Sequence, residues 1–426
     1  DSLAAIDHFM LTNNPEKFEP LNAYDLTSSF TQKLLEIVED EKELNEDQKE
    51  IKEKWYDIRH QLYIDSNKES KTINKFFYDY LIAELLTKKG TQRYGEKDTW
   101  NGIEEEFKNR TNEDGSFDYK SMAKLYAEMR DYMASWLRAI NDNSPYWNEK
   151  PYNQASCRDE RNYLQAIRTA GVLQHIPVYI ALVKAVEDQN ADRSVIKDFL
   201  KNFNYMTLRF RTLPQLLGPE YACGFEWKVV YGKILSKDGW IRRIKKADLK
   251  DEAGREMIAS MPLELMPDSE TVNDLYPWTL DHEEWGHINK DGTLSGKLIK
   301  HVLYSAERAL ESIGGSTQSP QMTRLHGVGV KVQTEHIIPR APRLLGGKWY
   351  EDGETTDYHS KFVFALGNHC LIEDSRNSSV RNKPPLEKAS NFLGSDFKLA
   401  KIVGQEIIDS GTWDKAEIMR NSTRIM

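Results

Sequence analysis

The dipeptide Glu335-His336 joins a carboxylate to an imidazole immediately before Ile337-Ile338-Pro339. Neighbouring residues of a strand point to opposite faces, and a proline forces the chain out of a strand, so the two side chains can diverge here. One could face a metal ion and the other a water molecule, from which a neutral imidazole can take a proton. A single histidine is more often structural than catalytic, so this pair needs support from elsewhere in the chain.

A second polar set supplies that support. Asn368 follows Leu366-Gly367, and Asn377 comes nine residues later. Asparagine offers a neutral oxygen ligand and an amide that can brace a backbone. One glutamate and one asparagine form an oxygen-rich set that suits Mg²⁺, which keeps several waters and also binds substrate phosphate. The two segments together therefore indicate a magnesium site for phosphate chemistry.

The elements around these residues follow from hydrophobic periodicity. Alternating valines at 328, 330 and 332 predict a first strand that ends near the Glu-His pair. A long polar loop, Arg340–Ser360, separates it from the run Phe362–Leu366, which predicts a second strand with His369–Ile372 as a short continuation. A turn into a short helix is predicted from Asn377 onward. Other helices are predicted near 24–40, 46–64, 73–88, 121–140, 160–175, 178–188, 296–313, 395–409 and 412–420.

The fold class that results is mainly α with a small α+β domain. We predict a helical body over residues 1–300, with a DNA-contacting or regulatory role, and a separate C-terminal domain over 301–426. The clearest helix, 121–140, carries one apolar stripe that is more typical of a core than of a functional surface. Three cysteines without a CxxC pair argue against a disulfide framework and fit a reducing cytosol. The longest apolar run, Ile176–Val183, is too short to span a bilayer, so we expect no membrane association.

The net charge of −9 argues against a uniformly basic nucleic-acid binder, but the charge is unevenly spread. Residues 1–300 hold 42 Lys and Arg against 52 Asp and Glu, whereas residues 301–426 hold 16 against 15. Basic stretches lie at Arg324–Lys348 and Arg376–Lys388, and a further one lies within 231–250. The two C-terminal stretches could each follow a phosphate backbone or form a solvated surface, whereas the stretch within 231–250 is better interpreted as a solvated, amphipathic surface.

The C-terminal motifs resemble those of a known nuclease family. Glu335–Pro339, Leu366-Gly367-Asn368, Asn377 and Asn382-Lys383 with Lys388 resemble the HNH (ββα-metal) domain of the GmrSD-type modification-dependent restriction enzymes, which include BrxU-like and SspE-like phage-defence proteins. The helix Leu298–Ile313 and the segment Trp413–Arg420 resemble the family's flanking helices. The resemblance covers about 130 residues, with weaker similarity upstream.

The resemblance implies a role for each matched residue. His336 would be the general base, Glu335 and Asn377 the ligands of Mg²⁺ or Mn²⁺, and Asn368 the residue that holds the backbone around His336 through hydrogen bonds. Arg340, Arg381 and Lys383 would contact DNA phosphates. The implied function is metal-dependent cutting or nicking of double-stranded DNA in the bacterial cytoplasm, as a defence against foreign DNA, with modified DNA as the candidate trigger. One such site cuts one strand, so a double-strand break requires a homodimer or two events.

Several features depart from the family pattern. His369 and Cys370 stand where an apolar residue and a small residue or Thr are expected, and both are interpreted as strand residues rather than site residues. His359 could be a third ligand, although a surface position fits it better. The family's nucleotide-using N-terminal module has no counterpart in this chain, so a longer protein or a separate chain would supply it. A DNA-binding or regulatory module with an inactive HNH fold, and a helical interaction scaffold, stay open as alternatives.

Overall fold

The computed structural model describes residues 45–65, 109–113, 118–141, 144–154, 157–212, 238–265, 296–313, 332–339, 365–380 and 382–425, with a few single positions between them. Most described residues are helical, which confirms the prediction of a mainly α protein. Within these ranges no helix is long and apolar enough to cross a membrane. The labelled elements, in chain order, are α1 (Glu46–Asp65), α2 (Tyr119–Ile140), α3 (Arg158–Thr169), α4 (Ile176–Gln189), α5 (Ser194–Thr207), α6 (Trp240–Lys246), α7 (Glu252–Ser260), α8 (Gly296–Ile313), β1 (Val332–His336), β2 (His369–Glu373), α9 (Asp374–Val380), α10 (Pro385–Leu393), α11 (Lys398–Ser410) and α12 (Lys415–Ile425).

These elements fall into two compact units. One contains α1, α2, α4 and α6, and the other contains α3, α5 and every labelled element from α8 onward. Both units therefore draw on the first 300 residues. The predicted division into 1–300 and 301–426 stays a prediction.

The first unit is built around α2, the helix predicted over 121–140. Its apolar stripe is buried, and Trp55 of α1 meets Tyr126 edge to face with ring centroids 5.9 Å apart. The carboxylate of Asp118 accepts a hydrogen bond from the Ser121 N–H at 3.2 Å, which satisfies one of the unpaired N–H groups of the first turn. The stripe is thus core packing, as its periodicity predicts.

The second unit places its two strands against α8 and the C-terminal helices. Glu307 of α8 is buried, and its carboxylate accepts hydrogen bonds from the backbone N–H groups of Lys398 at 3.0 Å and Leu399 at 2.8 Å. A carboxylate at a helix N-terminus satisfies free N–H groups and complements the helix dipole, so Glu307 fixes the start of α11 against α8. The apolar core between these elements includes Val302, Leu303, Leu371, Ile372, Phe392, Leu399, Val403 and Trp413.

The two strands form an antiparallel ribbon whose register pairs Val332 with Glu373 at one end and His336 with His369 at the other. The strand predicted from the alternation at 328–332 is described from Val332 onward, and positions 328–331 lie outside the described residues.

Two boundaries in the second half of the ribbon were predicted wrongly. The described residues of the run Phe362–Leu366, which are Val363, Ala365 and Leu366, are not in a strand. Leu366–Asn368 forms a 3₁₀ turn instead, and β2 is the segment predicted as a short continuation. An apolar run indicates that its residues are buried but does not by itself indicate a strand. Leu366 is buried, and it lies in the turn. Asn377, predicted to open a turn, lies instead within a helix that begins at Asp374, whose acidic side chain favours a first helical turn.

Candidate active site

The ribbon ends at a pair of histidines. The rings of His336 and His369 have centroids 4.3 Å apart and planes inclined by 60°. The Ile337 N–H donates to the Asn368 carbonyl oxygen at 2.9 Å, which makes the histidines a non-hydrogen-bonded pair, the kind in which facing side chains come closest. His336 is half-buried, whereas His369 is only 1% exposed. The predicted base therefore has a buried imidazole as its immediate neighbour.

Asn368 holds the backbone that follows His336. Its Oδ1 accepts from the Ile338 N–H at 2.7 Å. Its Nδ2 donates to the carbonyl oxygens of Ile338 at 3.1 Å and Val363 at 2.9 Å. The amide is fully buried, and both of its donor hydrogens and its oxygen are engaged. These bonds are the ones that the backbone-bracing role expected of Asn368 requires.

The last helix, α12, clamps the turn that carries Asn368. Asn421 Nδ2 donates to the Gly367 carbonyl oxygen at 2.9 Å, and the Gly367 N–H donates to Ser422 Oγ at 2.9 Å. A Cβ atom at position 367 would lie 1.9 Å from the Ile418 carbonyl oxygen, so only glycine allows this approach. The position of Asn368 thus depends on a helix 54 residues further along the chain.

Glu335 is bonded to a buried lysine of α10. Lys388 is 0% exposed, and its Nζ donates to Glu335 Oε1 and to the His336 carbonyl oxygen, both at 2.5 Å. The Cα of Glu335 pairs with that of Cys370, so its side chain leaves the strand on the face opposite to that of His336. The structure therefore places the predicted ligand and the predicted base at one strand end, on different faces.

Burial and charge oppose each other in this pair. Burial raises the pKa of the Glu335 carboxyl, while the Lys388 ammonium and a hydrogen bond from the His336 backbone N–H act to lower it. Burial lowers the pKa of Lys388, and Glu335 acts to raise it. Burial also raises the pKa of the Cys370 thiol, and the Glu335 charge adds to that effect. Cys370 therefore stays a protonated thiol and packs as an apolar residue.

The other predicted positions are spread along the following segment. Asn377 is half-buried in the middle of α9, and Lys383 is exposed in the turn between α9 and α10. Arg340, Arg381 and His359 lie outside the described residues. The structure therefore places two of the five and leaves the roles of all of them as predictions.

The donor chemistry of Glu335 and Asn377 fits a hard cation. Both are oxygen donors, and a carboxylate has about four lone-pair positions, of which the bonds from Lys388 and the His336 N–H use two. Mg²⁺ and Mn²⁺ accept few protein ligands and fill their other positions with water and phosphate oxygens. Among the described residues, no group of three or more His, Cys, Asp or Glu side chains is arranged to hold a metal ion.

Sequence reasoning missed the contacts of two residues. His369 was interpreted as a strand residue. However, a polar side chain directly before the apolar residues Cys370–Ile372 indicates that it has a specific hydrogen-bond partner. Lys388 matched only as one position of the family pattern. Its place on the buried stripe of α10, beside Ala389 and Phe392, could have indicated an internal ion pair.

Residues 281–426 match the family described as GmrSD restriction endonucleases, C-terminal domain. This segment is therefore similar to the C-terminal domain of GmrSD restriction endonucleases. The match covers about a third of the chain and includes every residue of the candidate site. A domain of restriction endonucleases implies a nuclease with DNA as substrate, so the GmrSD match supports the DNA-cutting role that the resemblance implies. No curated protein matches the chain significantly.

Proposed function

We propose that the GmrSD domain of this chain is an HNH-type, metal-dependent endonuclease that hydrolyses phosphodiester bonds in double-stranded DNA, with His336 as general base. The observation that supports this most directly is the backbone bracing by Asn368, which fixes the two residues after His336. The ribbon of β1 and β2 continues directly into α9, so the proposed base and Asn377 belong to one ββα segment.

In this mechanism an imidazole nitrogen of His336 takes a proton from a water molecule. The water oxygen forms a bond to phosphorus as the bond from phosphorus to the 3′ oxygen breaks. The 3′ oxygen leaves with the bonding electron pair and takes a proton from solvent water. Asn368 keeps the strand end in place while the proton moves, and Lys388 holds Glu335 and the His336 carbonyl in fixed positions. When bound by Glu335 and Asn377, Mg²⁺ or Mn²⁺ would supply charge relief at the phosphate and the leaving oxygen.

The biological role that we propose is defence in the bacterial cytoplasm, in which foreign and modified DNA is cut. One site cuts one strand, so this chain acts as a nickase unless two copies meet on one duplex. A nucleotide-using module from a longer protein or a second chain would control cutting. Lys383, which is exposed, would contact a DNA phosphate together with Arg340 and Arg381.

A second candidate function is DNA binding without cleavage. The observation that favours it is the hydrogen bond between Lys388 and Glu335, which neutralises the only carboxylate of the predicted ligand pair. A site in which the ammonium permanently replaces the cation would bind DNA through basic side chains and leave it intact.

Nicking of supercoiled plasmid separates these two functions. The unsubstituted chain should relax the plasmid with Mg²⁺ or Mn²⁺ and not with EDTA. His336→Ala should be slower by roughly 100-fold or more, because a general base contributes about 10²–10⁴ to the rate. Added imidazole should restore part of the lost rate. Lys383→Ala is the matched control, since it should weaken DNA binding and reduce the salt dependence without abolishing nicking.

The outcomes are distinct. Metal-dependent nicking that is lost in a folded His336→Ala protein supports the nuclease and its base. Equal nicking by both proteins would remove His336 from the mechanism. Salt-dependent DNA binding without nicking in either metal would favour the second candidate.

A further inference from the structure

The residue opposite the proposed base has a fixed ring. His369 Nδ1 lies 2.7 Å from the Ala365 carbonyl oxygen. A carbonyl oxygen only accepts, so Nδ1 carries the hydrogen, and the ring is held in one orientation. Its side chain is buried almost completely, and its backbone is paired with β1. His369 is therefore a rigid, planar group rather than a mobile one.

The anchor of this ring is itself held in place. Ala365 precedes the Leu366–Asn368 turn, which Asn421 and Ser422 of α12 clamp through hydrogen bonds to Gly367. The same turn carries Asn368, which fixes the backbone after His336. One clamped turn thus holds both the residue that braces the base's backbone and the ring that touches the base's side chain.

The contact between the rings bears on the orientation of His336. It is half-buried at the last position of β1, and the torsion that turns a histidine ring about its Cβ–Cγ bond has a broad energy profile. The ring of His369, 4.3 Å away between centroids and inclined by 60°, restricts that rotation on one side. A strand residue that served packing alone would not require a buried imidazole with its own hydrogen-bond partner.

We propose that His369 is a positioning residue of the GmrSD nuclease, and that its ring holds the His336 imidazole in the orientation that receives the proton from water. This inference rests on the proposed function of His336. It changes the sequence-based interpretation of His369 as a plain strand residue.

Two substitutions separate the ring from the hydrogen bond. His369→Asn keeps an N–H donor for the Ala365 carbonyl and removes the ring, whereas His369→Phe keeps a flat ring and removes the donor. We expect His369→Asn to lower kcat for nicking roughly 10- to 100-fold with KM for DNA unchanged, since small misplacements of a reacting group have effects of this size. His369→Phe should recover most of that rate. In a His336→Ala background, neither substitution should lower the residual rate further, because His369 acts through His336.

Three results would overturn the proposal. The first is His369→Asn nicking as fast as the unsubstituted protein. The second is a slower rate of nicking in both variants together with matching losses of thermal stability. That result would attribute the slower rate to the lost hydrogen bond and to a destabilised fold. The third is a further fall in rate in the His336→Ala background. If the unsubstituted protein does not nick at all, the proposed function fails, and a spectroscopic measurement still decides the positioning.

That measurement is NMR of the full chain with ¹⁵N-labelled histidine. The proposal requires a bonded Nδ1–H signal for His369 and cross-relaxation between the rings of His336 and His369. In His369→Asn, the His336 ring signals should change toward those of a more mobile ring. In His369→Phe, this change should be absent. Unchanged His336 signals in His369→Asn would contradict the proposal, whatever the activity.

Discussion

Removal of Lys388 tests how strongly the strand end depends on one buried ion pair. In Lys388→Met the side chain keeps its length and loses the ammonium. Glu335, which is 7% exposed, is left as a buried carboxylate without its counter-charge, and the His336 carbonyl loses a donor. Breaking a buried pair by removing one partner costs about 3–5 kcal/mol, and the lost hydrogen bond adds about 1 kcal/mol. We therefore expect a loss of roughly 4–6 kcal/mol in the free energy of unfolding.

A double-mutant cycle isolates the interaction. Glu335→Gln alone leaves a buried ammonium, and Glu335→Gln with Lys388→Met leaves neither charge. The double variant should lose less than the sum of the two single variants, with a coupling energy of about 2 kcal/mol or more. The assay is urea unfolding of the four proteins. Lys197→Met is the matched control, because Lys197 pairs with Asp198 at 3.6 Å with both side chains 40% or more exposed, and such surface pairs contribute about 0–1 kcal/mol.

The pH dependence supplies a second check with a definite sign. The pKa of Glu335 is raised in the folded protein, mainly by burial, and removal of the ammonium raises it further. A carboxyl with a raised pKa binds its proton more tightly in the folded state, so its contribution to stability grows as pH falls through the window between the unfolded and folded pKa values. Lys388→Met should therefore recover part of its loss at acidic pH. A loss below about 0.5 kcal/mol would refute the role of the buried pair, since it would lie within the range of surface substitutions. A loss of the same size at every pH would show that Glu335 does not titrate differently in the variant.

Two further predictions follow from buried residues of the same unit. Gly367→Ala should lower stability by about 1–3 kcal/mol or more and slow nicking, because the new Cβ would meet the Ile418 carbonyl at 1.9 Å and displace the turn that carries Asn368. Thermal unfolding and plasmid nicking measure this, and a variant of unchanged stability would show that α12 can move away freely. His301 has a pKa lowered to about 3 by burial, so its contribution to stability is complete above its unfolded pKa of about 6.5 and is lost progressively as pH falls toward 3. From pH 7.5 to 5 this residue alone removes about 2 kcal/mol, and His301→Gln should abolish that part of the change in urea unfolding. An unaltered pH slope in that variant would mean that His301 does not titrate between the two states.

The sequence predicted the candidate site residues from patterns that are local, and their chemical roles stay predictions. A carboxylate and an imidazole before a proline predict a strand end, and the apolar run between Asn368 and Asn377 predicts a short strand followed by a helix. The helices over 46–64, 121–140 and 296–313 were also predicted closely, since a long apolar stripe with a 3.6-residue period has few other interpretations. The apolar run Phe362–Leu366 was misassigned because it is short and has no clear period. Such a run indicates burial and does not indicate a particular backbone conformation.

Tertiary structure alone decided what touches those positions. Lys388 reaches Glu335 across 53 residues of chain, and Asn421 reaches Gly367 across 54, so neither pairing is encoded in any local pattern. The contact between His336 and His369 depends on the register of β1 and β2, and a shift of one residue would move each ring to the other face of the ribbon. The sequence by itself determined which residue types stand at the strand end. The packing of α10 and α12 against the ribbon determined the surroundings and the hydrogen-bond partners of those strand-end residues. Buried polar groups take whichever partner the folded chain brings within hydrogen-bond distance.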